Sequence, residues 1–184
     1  CAGMHVLIKG QVELQKTGPQ GKTSILSIID PVIMFNEVSV LDGGENPFSA
    51  YATQDCIIWQ VSYEAFQSLL TKYPQVGSGL LRVLAKRNRQ MLTQYEDVSF
   101  RSVLARTAKL LLELSENGTK TIYRSEHPIS KMAARIASVP EIISRSLGTL
   151  KTQGVIRYDR SEIFVTAPDA LAELAQINTI TYVN

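Results

Sequence analysis

The chain is poor in the residues that build metal clusters, disulfide frameworks or membrane spans. It holds two cysteines, Cys1 and Cys56, far apart in sequence, and two histidines, His5 and His127. A disulfide scaffold is therefore not expected, which fits a reducing compartment. Neither histidine stands at a ligand-type spacing from the other or from a cysteine, so no metal site is expected. No apolar run approaches the roughly 18 residues that a membrane helix needs. There is no basic segment leading into an apolar stretch and no lipidation signal. These absences predict a soluble, cytoplasmic protein with no membrane partner. The sequence also shows no phosphate loop and no nucleophile–base arrangement, so an enzyme is not expected. No internal repeat or low-complexity segment interrupts it.

What is present is an ordinary globular composition over 184 residues, with 45% hydrophobic and 20% charged residues and a formal charge of +2. The charge is uneven. Residues 1–99 carry eight Lys/Arg against nine Asp/Glu, and residues 100–184 carry eleven against eight. That asymmetry is compatible with a nucleic-acid partner and equally with a plain solvated surface.

Residues 4–62 read mainly as β structure. Short β-branched or alternating runs such as MHVLIKG, QVELQKT, TSILSII and CIIWQVS are punctuated by Gly10, by Gly18-Pro19-Gln20-Gly21 and by a turn-rich stretch from Leu41 to Pro47. This predicts a small antiparallel sandwich or barrel, filled by side chains or holding one small ligand. A short helix follows over 62–72 from a Ser62 cap. The longest helical pattern runs from about Gln75 to Phe100. Leu80, Leu84, Arg87, Met91 and Val98 form a coiled-coil-like stripe along it, interrupted by Arg87, Asn88 and Gln94. The stripe suits a dimer helix, or a helix packed against its own barrel. A second amphipathic helix spans 101–115.

The segment Ser130–Gly154 reads as two short helices and a tight turn. It is followed by strands Val155–Tyr158 and Glu162–Thr166 around Asp159-Arg160-Ser161, and by a last helix from Pro168. Two helices and a hairpin suggest a winged helix-turn-helix, whose second helix enters the DNA major groove. That helix is expected from Pro140 to about Gln153, with Gly154 as its stop. Ile143, Leu147 and Leu150 turn inward. Glu141, Ser144, Arg145 and Gly148 turn outward, with Ile142 and Thr149 at the margins. Arg can donate to guanine O6 and N7, Glu can accept from cytosine N4, and an apolar side chain can touch a thymine methyl. The same Glu141–Arg145 spacing also suits an ordinary surface ion pair worth a few tenths of a kcal/mol.

In Glu141-Ile142-Ile143-Ser144-Arg145, preceded by Met132-Ala133-Ala134-Arg135-Ile136-Ala137 and Pro140, the chain resembles the Crp/Fnr superfamily of bacterial transcription regulators. His5–Gly10 resembles an early barrel strand of that family with its glycine turn. Phe35-Asn36-Glu37-Val38 resembles its G-E-[LIV] segment, with Asn36 in place of Gly. The resemblance implies an α+β architecture in which an antiparallel, cyclic-nucleotide-binding-like β-barrel over 1–74 leads into a dimerisation helix over 75–100. A winged helix-turn-helix DNA-binding domain over 101–184 completes it. The resemblance also implies that an N-terminal helix and the first barrel strands precede residue 1.

By the same resemblance, Glu141, Ser144 and Arg145 read a TTGA-like half-site of an inverted repeat. Pro140 stands where Crp-like members carry a further Arg. Lys131, Thr149, Lys151, Arg157 and Arg160 are the candidates for phosphate contacts, with Ile142 marginal. The implied partners are double-stranded DNA, a second copy of the chain and, for an activator, RNA polymerase. The family's cyclic-nucleotide pocket maps to Glu37, Phe48, Ser49, Met91 and Leu92. Phe48 replaces the phosphate-binding Arg, and Met91 and Leu92 stand at the positions that offer hydroxyls to adenine. Cyclic AMP is therefore not expected to bind in the usual way. Neither haem nor an iron–sulfur cluster is expected from the Cys and His set. The rival reading is a ligand-sensing module whose winged helix meets protein instead of DNA.

Overall fold

The computed structural model describes residues 3–19 and 21–176. Cys1 in the disulfide argument, Gln20 in the predicted turn, and residues 177–184 of the predicted DNA-binding domain lie outside them. The chain divides into two compact units, 1–92 and 93–184.

The first unit contains strands β1 (Met4–Lys9), β2 (Val12–Thr17), β3 (Thr23–Ile29) and β4 (Ile33–Phe35), a short helix α1 (Val38–Asp42), strands β5 (Ser49–Ala52) and β6 (Ile57–Val61), and helix α2 (Tyr63–Lys72). The strands form two antiparallel three-stranded sheets, ordered β4-β1-β6 and β3-β2-β5. Alternation puts Leu7, Val12, Leu14, Ile29 and Phe35 into one buried cluster fed by both sheets, as expected when one sheet face is apolar. Gly10 makes the β1–β2 turn at φ +93°, where an added Cβ would lie 2.5 Å from the Asp55 carbonyl oxygen. Only glycine meets both demands. The Ser62 hydroxyl accepts from the Ala65 amide at 3.3 Å and starts α2 as the sequence suggests.

Helix α1 is not anticipated by the sequence reading, which has turns from Leu41 onward. Gly43 at φ 74° closes it as a left-handed C-cap, so the turn residues end a helix instead of linking strands. Just before it, Asn36 has φ 60°. The sequence pattern places a glycine there, and Asn is among the few residues that tolerate this region.

Helix α3 (Pro74–Phe100) crosses the division between the units. Within the first unit, Leu80 is buried against Met4, Val40 and Phe66, and Leu84 packs on the same cluster. Arg87 turns to Glu37 and to the Met34 carbonyl. These three positions of the expected dimer stripe are therefore spent on the chain's own core, because they cover apolar strand residues and a buried carboxylate. Met91 and Val98 are exposed, and so are Leu81, Leu92 and Tyr95 beside them. No described helix is long and apolar enough to cross a membrane.

The second unit contains α4 (Val103–Leu114), β7 (Ile122–Tyr123), α5 (Ile129–Arg135), α6 (Pro140–Thr152), β8 (Ile156–Tyr158), β9 (Glu162–Val165) and α7 (Pro168–Leu174). Ser102 caps α4 by accepting from the Ala105 amide at 3.2 Å. The strands form one antiparallel sheet, β7-β9-β8. One core joins Leu111 of α4, Met132 of α5, Ile143, Leu147 and Leu150 of α6, Ile156 and Ile163 of the hairpin and Leu171 of α7. At roughly 1.5–3 kcal/mol for each large apolar side chain removed from water, α6 is anchored mainly by its inner face.

Candidate nucleic-acid interface

Helix α5 ends in a turn that aims α6. The Ser138 amide donates to the Ala133 carbonyl at 2.9 Å, and Ala137 takes φ 53° to allow it. Alanine in this left-handed region is strained by about 1 kcal/mol. The next element opens with Pro140 at its first turn, where a missing amide hydrogen costs nothing, and with Glu141 beside the positive helix end. It closes at Gly154, φ +75°.

The faces of α6 separate as the spacing predicts. Ile143, Leu147 and Leu150 are buried to within 1% of full burial. Glu141, Ile142, Ser144, Arg145 and Thr149 are exposed, while Gly148 is half-buried. The Ser146 and Thr149 hydroxyls donate back to the Ile142 and Arg145 carbonyls at 2.9 and 3.1 Å. Among the described residues, the side chains of Glu141, Ser144 and Arg145 form no ion pair or hydrogen bond, so the i,i+4 pair between Glu141 and Arg145 is not made.

Two groups stand out among the cations of this unit. Arg101 and Lys109 pair with Asp97, Lys120 with Glu116 and Arg135 with Glu113. Arg145, Lys151, Arg157 and Arg160 are exposed and have no carboxylate partner among the described residues. Two of the four are positioned by aromatic rings. The Lys151 ammonium lies 4.7 Å from the Tyr158 ring centre and 3.4 Å from the Tyr158 carbonyl oxygen. The Arg157 guanidinium lies 5.7 Å from the Phe164 ring. Lys151 thereby ties the end of α6 to β8. Lys131, on α5, is half-buried and engaged. The hairpin tip is held by Asp159, whose Oδ1 accepts from the amides of Ser161 and Glu162 at 2.7 and 2.9 Å and from the Ser161 hydroxyl at 2.9 Å. These bonds hold its carboxyl below the usual aspartate range.

The five residues expected to line an effector pocket in the first unit do not converge. Glu37 is buried and paired with Arg87. Phe48 packs its ring against the Leu7–Val12–Phe35 cluster. Ser49 is exposed on β5, and Met91 and Leu92 are exposed on α3. Phe48 and Ser49 line a polar recess with Gln15, Thr17 and Asn46, where Lys16 donates to the Pro47 carbonyl at 2.6 Å. A separate, mainly apolar cavity of about 240 Å³ is lined by His5 and Asn36 with Val12, Phe35, Ala50, Ala52 and Ile58. None of the five expected residues lines it. Asn36 at a glycine position was the one signal in the sequence that pointed near it.

Residues 1–73 match the family described as the cyclic nucleotide-binding domain, and residues 105–174 match the Crp-like helix-turn-helix domain. Both halves of the chain are thus placed. The chain belongs to the Crp/Fnr family of transcription regulators. This family member is 28% identical over 178 residues to the CRP-like cAMP-activated global transcriptional regulator of Mycobacterium tuberculosis, covering 94% of this chain and 80% of that one. It is 29% identical over 172 residues to the cyclic AMP receptor protein of Thermus thermophilus, covering 94% and 79%. Its fold superposes on a crp/fnr-family transcriptional regulator of Eubacterium rectale with a TM-score of 0.79 at 19% identity, over 96% of this chain and 82% of that one. These relatives are transcription regulators and not enzymes.

Proposed function

We propose that this Crp/Fnr family member is a homodimeric, sequence-specific regulator that reads a palindromic DNA site with TTGA-like half-sites. Glu141, Ser144 and Arg145 are its base readers. The observation that carries this reading is the outer face of α6, where these three side chains stand exposed and unengaged on a helix whose inner face is fully buried. Readers need that combination: a rigid mount and donors or acceptors not already spent. Arg157 and Arg160 contact phosphates from the wing. Lys151, Thr149 and Lys131 act at the flanks of the helix, where contacts position the protein without specifying sequence.

The dimer seam proposed here is shifted one residue from the stripe read in the sequence. Leu81, Ala85, Asn88, Leu92 and Tyr95 are exposed and spaced by four, three, four and three, the signature of a two-stranded helical seam. A two-fold dimer presents two α6 helices to successive major grooves, about 34–36 Å apart. Where the protein activates, RNA polymerase is its further partner.

The relatives named above are cAMP-activated or a cyclic AMP receptor. In this chain Phe48 replaces the cation that a cyclic phosphate requires, and an unpaired phosphate against an apolar ring is strongly disfavoured. Usual cAMP activation is therefore not part of this reading. The test is fluorescence anisotropy on a TTGA-half-site palindrome and a scrambled duplex at roughly 50 and 200 mM salt, with and without cAMP. The expected result is at least tenfold preference for the palindrome at the higher salt, unchanged by cAMP. Equal binding to both duplexes would remove the base-reading assignment.

A further inference from the structure

The tip of the β8–β9 hairpin is exposed, yet it is rigidly built. Asp159, Arg160, Ser161 and Glu162 form its turn, closed by the Asp159 amide, which donates to the Glu162 carbonyl at 3.1 Å. Asp159 Oδ1 accepts from the Ser161 amide, the Ser161 hydroxyl and the Glu162 amide at 2.7, 2.9 and 2.9 Å. Arg124, just past β7, braces the turn from outside the hairpin. Its amide donates to the Ser161 carbonyl at 2.8 Å, and its guanidinium donates to the Asp159 carbonyl at 3.0 Å. Asp159, Ser161 and Glu162 are thus spent on holding the tip. Arg160 is the exception. It is exposed, and its side chain makes no hydrogen bond or ion pair among the described residues. The neighbouring Arg157 lies over the Phe164 ring, and Arg124 is committed to the turn.

The place of this cation relative to α6 is also fixed. Ile156 and Ile163 share the core of Ile143, Leu147 and Leu150. The Lys151 ammonium meets the Tyr158 carbonyl at 3.4 Å, two residues before Arg160. With the first turns of α6 on base edges, its last turn points to the phosphate ridge that borders the major groove. Beyond that ridge is the minor groove, about 6 Å wide. It narrows further in A·T tracts, where its deeper negative potential attracts arginine. A guanidinium is more weakly hydrated than an ammonium, so a narrow groove favours Arg over Lys.

We propose that Arg160 reads DNA shape: its guanidinium enters the mouth of the minor groove outside each half-site, between the phosphates that border it, so that A·T-rich flanks bind more tightly than G·C-rich flanks. Asp159 is the positioning residue, because it fixes the turn without pairing with Arg160. The inference rests on the regulator reading above and extends the recognised site beyond the bases that α6 touches.

The test is fluorescence anisotropy of the full chain on four duplexes at roughly 200 mM salt. They are the TTGA-half-site palindrome and a scrambled core, each with A·T-tract or G·C-rich flanks. The unaltered protein should prefer A·T flanks about fivefold on the palindrome. Arg160→Ala and Arg160→Lys should both bring that preference below about twofold, while Arg160→Lys keeps the affinity for the G·C-flanked palindrome within about twofold. Asp159→Ala should lose the flank preference with Arg160 intact, and Asp159→Asn, which keeps an acceptor for Ser161 and Glu162, should restore it. Equal binding to the two flanks, a preference that survives in Arg160→Lys, or loss by the same factor on both flanks in Arg160→Ala would overturn the assignment. A preference that survives in Asp159→Ala would remove the positioning role. The two cores separate this inference from the reading beneath it. An Arg160-dependent flank preference without preference for the palindrome upholds the tip assignment and removes the base readers. Preference for the palindrome without a flank preference does the reverse.

Discussion

In residues 93–184, Glu141, Ser144 and Arg145 project from a helix whose opposite face is completely buried, and nothing in the described protein competes for them. In residues 1–92 Ser49, Met91 and Leu92 stand exposed, but other candidates are already committed. Glu37 holds Arg87, Phe48 has joined the core, and Leu80 and Leu84 cover strand residues. A reader of DNA works with groups kept free on a rigid mount. A sensor works with a space, and the side chains that shape a space must touch one another to do so. The contrast explains why one unit yields named contact residues and the other yields an open, mainly apolar recess.

The largest test of this contrast is mechanical. Leu147→Ala removes a side chain only 1% exposed from the anchor of α6, and should destabilise the second unit by about 2–5 kcal/mol. Urea unfolding followed by resonances of each unit should show the loss in the second unit alone; an equal loss in both would mean that they do not unfold independently. Next, Arg87→Met leaves the Glu37 carboxylate, whose side chain is 3% exposed, without its cation. The expected cost is about 1.5–3 kcal/mol, recovered largely in the Arg87→Met, Glu37→Gln double variant. Additive losses would show that the pair is not coupled.

Smaller effects sharpen the comparison. Ala137→Gly should stabilise the second unit by about 1 kcal/mol or slightly less, because glycine relieves the φ 53° backbone at some cost in unfolded-state entropy. Destabilisation by calorimetry would contradict the strain argument. The histidines give the smallest effect. Burial lowers His5, and burial followed by the Arg135 and Lys131 charges lowers His127, with Glu126 opposing. A depressed folded pKa means that stability is fully present above the ordinary value near 6.5 and falls as pH drops below it. Between pH 7.5 and 5.5 the midpoint of urea unfolding should therefore decrease. His127→Asn should flatten the decrease in the second unit only, and a midpoint that rose on acidification would reverse the sign assigned here.

The sequence was most informative where one element carries both its anchor and its function. The i, i+4, i+7 placement of Ile143, Leu147 and Leu150 oriented α6 without any knowledge of its neighbours, and Pro140 and Gly154 marked its ends. Elsewhere, contacts distant in sequence decided the outcome. Arg87 lies fifty residues beyond Glu37, so its periodicity placed it in a helical seam while its charge placed it on the carboxylate. The pocket residues were carried over as a set from the resemblance, and the packing of Phe48 on the Leu7–Val12–Phe35 cluster depends on contacts that no local pattern announces. Helix α1 was missed because its C-terminal Gly43 reads equally well as a turn.

The central claim is that α6 reads bases while its flanking cations only position it. Arg145→Ala and Lys151→Ala, compared by anisotropy on the matched palindrome, single-base variants and a scrambled duplex across a salt series, test it most directly. Arg145→Ala should cost about 1–3 kcal/mol on the matched site and relax specificity at one base pair, whereas Lys151→Ala should weaken all duplexes alike and flatten the salt slope. Uniform loss across all sequences in both variants would contradict it.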